Sequence, residues 1–141
     1  MGWSCTLVVW LSLSLMACSR EELSFELACQ GSEKSHTQTD RGGVLATEDT
    51  TLEVKRHYAI IAQQLNSVMC DQWDDRQIHC LVQDHPKSKD KAFTKSYEED
   101  FVLNRSNLQV SVNTKRTSTS AHLKIQSESD FSGQCQQTKK H

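Results

Sequence analysis

TLEVKRHYAIIAQQLNSVM, Thr51 to Met69, is the stretch on which the fold turns. Val54, Tyr58, Ile61, Leu65 and Val68 recur at i, i+4, i+7, i+11 and i+14, the spacing of an apolar stripe along one helix face. Glu48 and Asp49 stand just before it, where the positive end of a helix dipole favours carboxylates. The same stretch contains YAIIA, Tyr58–Ala62, a short apolar run that would also suit a strand. The longer stripe decides between them and predicts a helix inside 46–69.

Outward from that stretch the patterns change to strand. REELSFELAC, residues 20–29, alternates Leu23, Phe25 and Leu27 against polar or small neighbours. QGSEKSHTQTDRGG, residues 30–43, has no periodicity and ends in a glycine pair, so it is expected to be a loop. Leu108, Val110 and Val112 alternate, as do Ala121, Leu123 and Ile125. They predict an antiparallel hairpin of strands near 106–113 and 120–126, joined by the turn-like NTKRTSTS. QQTKKH, residues 136–141, is expected to be a disordered tail. One helix with several antiparallel strands makes the expected class α+β.

The chain opens MGWSCTLVVWLSLSLMACS, residues 1–19, without a charge. Ala17 and Ser19 give the small-x-small pattern of a signal-peptidase site before Arg20, and the segment is too short for a membrane span. LMAC resembles a lipoprotein cleavage box, although Met is unusual before its small residue. The reading is a signal peptide over 1–19 and a single exported, extracellular domain over 20–141. A formal charge of −2 offers no general attraction to nucleic acid or to an anionic membrane. A mean hydropathy of −0.60 implies a thin core.

Four cysteines follow the leader: Cys29, Cys70, Cys80 and Cys135. An even count in an exported chain reads as two disulfides, with three pairings open. Cys70–Cys80 would close a short polar loop, and Cys29–Cys135 would then tie the domain's ends together. Zinc is disfavoured, because adjacent His79 and Cys80 are poorly spaced for a tetrahedral site even with His85 nearby. No phosphate-binding, dinucleotide, hydrolase or metalloprotease motif occurs, so neither an enzyme nor a cofactor is expected. Asp71, Asp74 and Asp75 read as a solvated loop face rather than a calcium or acid–base site. Lys87, Lys89 and Lys91 read as the lysine-guarded edge of a strand rather than a polyanion patch. Trp73 is either an anchor to the core or a binding contact. Asn104, in N-R-S, is a candidate glycan acceptor on exposed surface.

Cys80, Asp84, Pro86, Lys89, Lys91, Ala92 and Phe93 fill the order C-x3-D-x-P-x-x-K-x-K-A-F, which resembles the second half of a type 2 cystatin. Cys70 lies ten residues upstream, as in that family, and YEEDFVLNRSNLQVS, residues 97–111, is similar to the region that follows. The resemblance implies a cystatin-like antiparallel β-sheet packed on one α-helix, a Cys70–Cys80 disulfide, and inhibition of papain-like cysteine proteases by a wedge of loops. It places Gly42, Gly43, Val54, Arg56, Asp100 and Phe101 at the protease contact. It also implies weak or lost inhibition, because Arg56 stands in place of a glycine and Asp100-Phe101 in place of Pro-Trp. Thr94 stands where the family has its third cysteine, leaving Cys29–Cys135 as a substitute bridge. The family's register asks for strand over 52–69, against the helical stripe. The competing reading is a secreted immunoglobulin-like or cytokine-like binding module, from ELACQG and SDFSGQC, although Cys29 and Cys135 lie too far apart for the immunoglobulin bridge. A monomer is expected, with a protease or another extracellular protein as partner.

Overall fold

The computed structural model describes residues 24–86 and 92–138. Nine antiparallel strands are present, and there is no helix among the described residues. The α+β expectation, with a helix on a cystatin-like sheet, is therefore corrected to an all-β fold. The strands are β1 (Phe25–Arg41), β2 (Val44–Ile61), β3 (Gln64–Leu65), β4 (Val68–Met69), β5 (Gln72–Trp73), β6 (Gln77–Asp84), β7 (Phe93–Asn104), β8 (Gln109–Ser120) and β9 (Leu123–Thr138). They form one sheet in the order β4-β3-β2-β1-β9-β8-β7-β6-β5. The sheet is a meander whose first and last long strands pair at its centre.

The stretch 51–69 is strand, turn, strand, turn, strand. Val54, Arg56, Tyr58 and Ile60 point inward along β2 at period two, with Tyr58 and Ile60 buried. Ala62 and Gln63 then turn the chain with φ of 50° and 64°, and Asn66 and Ser67 repeat the move with 51° and 65°. Positive φ at both central residues is the primed hairpin turn that matches strand twist. Each turn restarts the alternation, so five apolar residues fall at helical spacing without a helix.

Residues 30–43, expected as a loop, are the outer half of β1 and the turn at Gly42-Gly43. β1 runs on because β2 and β9 pair with it along its length, from Phe25↔Ile60 and Glu26↔Thr138 out to Arg41. The 106–126 hairpin exists, but NTKRTSTS is strand within β8, and the turn is Ala121-His122. Residues 136–138, expected in the disordered tail, complete β9 opposite Glu26–Ala28. Residues 1–19, expected as a signal peptide, the last three residues of the chain and the lysines Lys87, Lys89 and Lys91 lie outside the described residues.

Both disulfides are formed, Cys29–Cys135 and Cys70–Cys80. The first joins directly opposed residues of β1 and β9. The second stitches the β4 end of the sheet to β6, so the sheet curls and its two edges meet. Inside the curl lie Leu27, Ile60, Leu65, Ile78, Phe101, Leu103, Val110, Val112 and Phe131, each at most 2% exposed. Tyr58 meets Phe101 edge to face across the curl, with ring centroids 5.0 Å apart. Above this core the outer halves of β2, β1, β9, β8 and β7 continue as a wing. Residues 44–49 of β2 are exposed on both faces, which explains why the wing carries no apolar alternation.

Candidate functional site

The inward faces of the strands carry the core at one end and a polar layer directly above it. Register fixes the layer's members. Cys29 faces Cys135, and further along β1, Glu33 faces Phe131 and Ser35 faces Ser129. Glu33 also sits near Arg56 of β2, whose Nη2 donates to Glu33 Oε1 at 2.6 Å. Arg56 Nη1 reaches Tyr58 Oη at 3.4 Å, and the guanidinium lies 4.9 Å from the Phe131 ring centroid. Burial pulls the Arg56 pKa down, but the hydrogen bonds with Tyr58 and Glu33 outweigh it and hold the group firmly cationic. Tyr58 is pushed up, first by burial.

Across the curl, Tyr97 of β7 stands opposite Arg116 of β8, and Glu99 opposite Thr114. Tyr97 Oη donates to Glu99 Oε2 at 2.6 Å. Burial, then this hydrogen bond, pushes the phenol up to about 12, so it stays a donor at every physiological pH. Glu99 is 7% exposed, and its Oε1 is buried with no hydrogen-bond partner among the described residues. A carboxylate oxygen left so costs free energy comparable to a lost hydrogen bond or more. Arg116 stacks 5.3 Å above the Tyr97 ring and has no carboxylate within ion-pair distance among the described residues.

Two adjoining hollows open over this layer, and Arg116 and Ser127 line both. One, about 450 Å³, is bounded by Asp84, Lys95, Tyr97, Ser118 and Ile125. The other, about 300 Å³, is bounded by Glu33, Ser35, Arg56, Thr114 and Ser129. Together they form a hydroxyl-lined cleft of ligand size. One guanidinium is neutralised by Glu33, and the other rests on Tyr97 without a carboxylate in ion-pair distance among the described residues. Such an arrangement holds a small hydroxylated anion by a planar fork and a rim of Ser and Thr oxygens. The cleft contains no nucleophile–base pair, and no group of side chains among the described residues is placed to hold a metal ion.

The residues expected at a protease contact are not brought to one edge. Gly42 and Gly43 form the turn at the wing's far tip, where Gly42 N–H donates to the His122 carbonyl and Gly43 N–H to Asp40 Oδ1. Arg56 lines the cleft, and Val54 packs against the edge of the core. Phe101 is in the core with no exposure, and its neighbour Asp100 points the other way, accepting from His79 Nε2 at 2.6 Å. His79 Nδ1 is 2.7 Å from Asp71 Oδ2, so the ring clips the Cys70–Cys80 loop to β7. Asp74 holds that loop's turn by accepting from the Gln72 side chain and the Arg76 and Gln77 amides, and these bonds lower its pKa. Trp73 is an anchor, 5.9 Å from the Phe25 ring and against the core. Asn104 ends β7, is exposed, and accepts from the Ser106 amide and hydroxyl.

Sequence reading missed Glu33, Tyr97, Glu99 and Arg116. Glu33 and Arg116 lay in segments read as loop and turn. The alternation Tyr97, Glu99, Phe101, Leu103 was the available signal, since it runs from polar to apolar along one face of a strand.

No protein-family model matches the chain, and neither a curated protein nor a solved structure does.

Proposed function

We propose that this chain is an exported, non-enzymatic binding protein that takes a small hydroxylated organic anion in the concave cleft. The observation that carries the reading is Arg116: a cation without a carboxylate partner among the described residues, fixed on Tyr97 and shared by both hollows. Export is supported by the two disulfides, which persist in oxidising compartments, together with the uncharged apolar opening of the chain. The exposed Asn104 sequon suits the same setting. Glu99 fits the reading as well, since a buried carboxylate with a bare oxygen lowers stability and is retained where a site needs it. Weak or absent inhibition of papain-like proteases belongs to the same proposal. The six residues that inhibition would use are spread over a wing tip, the cleft, the core and the outer face, and they share no wedge.

The test is calorimetric titration of the purified exported protein with glucuronate and glucose 6-phosphate, with glucose as the uncharged control. Saturable heat with either anion and none with glucose is the expected outcome. Heat with glucose alone, or with none of the three, removes the anion reading. A parallel titration against papain is expected to leave its activity unchanged.

A further inference from the structure

From β2 we infer that the protein pairs with a second copy of itself, edge to edge, through residues 46–58, in an antiparallel register centred on Leu52. Among the described residues β3 covers the edge of β2 only at Ile60 and Ile61, so the strand from Val44 to Ala59 presents an edge that no other described strand pairs. Edge strands are usually kept from pairing by proline, lysine, bulges or shortness. Between Val44 and Val54 this edge has no proline, lysine or arginine, and its register with β1 runs unbroken. It also holds three large exposed aliphatic residues, Val44 at 71%, Leu45 at 60% and Leu52 at 61%.

The charges choose the partner. Along the edge, Glu48 and Asp49 precede Leu52 by four and three residues, and Lys55 and Arg56 follow it by three and four. A two-fold axis through Leu52 therefore sets Asp49 opposite Lys55 on the outer face and Glu48 opposite Arg56, which keeps its own-chain bond to Glu33, on the inner face, twice each. Leu52 meets its own copy. Because opposed residues share a face in an antiparallel pair, this register also keeps inward residues inward. Moving the axis to Thr51 would put Asp49 against Glu53, and moving it to Glu53 would set that carboxylate against itself. Opposed like charges are destabilising and opposed unlike charges favourable, so the edge is complementary to itself in one register and repels the neighbouring ones. Asp49 already lies 2.6 Å from His36 on its own chain, and the partner's lysine would approach its outer side. An interface in which the same patch serves both copies is the usual geometry of a dimer. Pairing would join the two wings into one continuous sheet and leave each cleft open.

Sedimentation velocity on the exported protein tests this at about physiological ionic strength and again in high salt, which screens exposed charge pairs. A dimer weakened by salt is expected. Lys55→Glu should shift the protein to monomer, and adding Asp49→Lys to that variant should restore the dimer. Leu52→Cys should form a covalent dimer under mild oxidation, whereas Thr50→Cys and Val54→Cys, each two residues off the axis, should not. A protein that stays monomeric at every concentration overturns the inference. So does a dimer indifferent to Lys55→Glu, or one that crosslinks at 50 or 54 in preference to 52. Far-ultraviolet circular dichroism shows whether each variant is folded. Arg56 is shared with the cleft, but the anion reading rests on Arg116 of β8, so failure here leaves the anion titration untouched.

Discussion

Tyr97 and Tyr58 are the chain's two tyrosines, and both phenols are held above their ordinary value by burial within the polar layer. The folded protein is therefore expected to show less tyrosinate absorbance at about pH 10 than the unfolded chain, whose ordinary phenols should be about half ionised there. Ultraviolet titration in buffer and in denaturant measures the difference, and equal curves would mean that the layer is wet. Next to Tyr97, Glu99 buries one carboxylate oxygen without a donor among the described residues. Glu99→Gln keeps an acceptor for the phenol and removes the buried charge, so it should raise stability in urea unfolding, and an unchanged or lower stability would contradict a buried carboxylate there. His79 makes a different prediction. Burial lowers its pKa, but the bonds to Asp100 and Asp71 outweigh that and leave it above 6.5. A raised folded value means that the clip stabilises fully below the unfolded pKa and fades as pH rises through the folded one. The stability gap between the native protein and His79→Gln should thus be larger at about pH 5.5 than at about pH 8.5. A gap that grows with pH would contradict the assignment.

The turns and the close strand contact at the centre decide the elements. Ala62 and Gln63 take a left-handed backbone that side chains with a Cβ resist by about 1–2 kcal/mol per residue. The double substitution Ala62→Asn with Gln63→Gly supplies the pair that a primed turn favours, so it should relieve most of this and raise the unfolding midpoint. An unchanged or lower midpoint would argue against a primed turn there. Gly31 and Gly133 face each other just above the Cys29–Cys135 bridge. A Cβ at Gly31 would collide with the Ser132 carbonyl oxygen, which is backbone and cannot swing aside. Gly31→Ala should therefore destabilise by at least the roughly 1–3 kcal/mol typical of overpacking. These same features explain what sequence could show. Phe25, Leu27, Val110 and Val112 were readable as strand because one side of each strand faces the core and the other faces water. Residues 30–41 were not, because in the wing both sides meet solvent or polar neighbours and no alternation survives. Asn66-Ser67 carried a turn signal, but Ala62-Gln63 carried none, so the apolar residues on either side of it merged into a false helical stripe. Arg116 went unremarked because hydroxyl-rich TKRTSTS resembles a loop until its pairing with β7 and β9 is known.

At the scale of the molecule, one curled sheet does two things with a thin core. Its lower part closes over Phe101 and Phe131 and is held by two disulfides, one across the central β1–β9 pair and one where the edges meet. Its upper part stands open and presents a polar concave face, which no apolar core requires. The Cys29–Cys135 bridge spans 106 residues, and a loop of that length is worth roughly 4–5 kcal/mol in the chain-entropy account. Removing it by Cys29→Ser with Cys135→Ser should lower stability by several kcal/mol, more than removing Cys70–Cys80. The concave layer, through Arg116, is where we propose that this protein binds. Titrating glucuronate into Arg116→Met beside the native protein tests it most directly, because Met retains much of the side chain's length and can still pack on Tyr97 while losing the fork. Loss of saturable heat in a variant that unfolds at the native temperature is the predicted result, and native-like binding by Arg116→Met would contradict it.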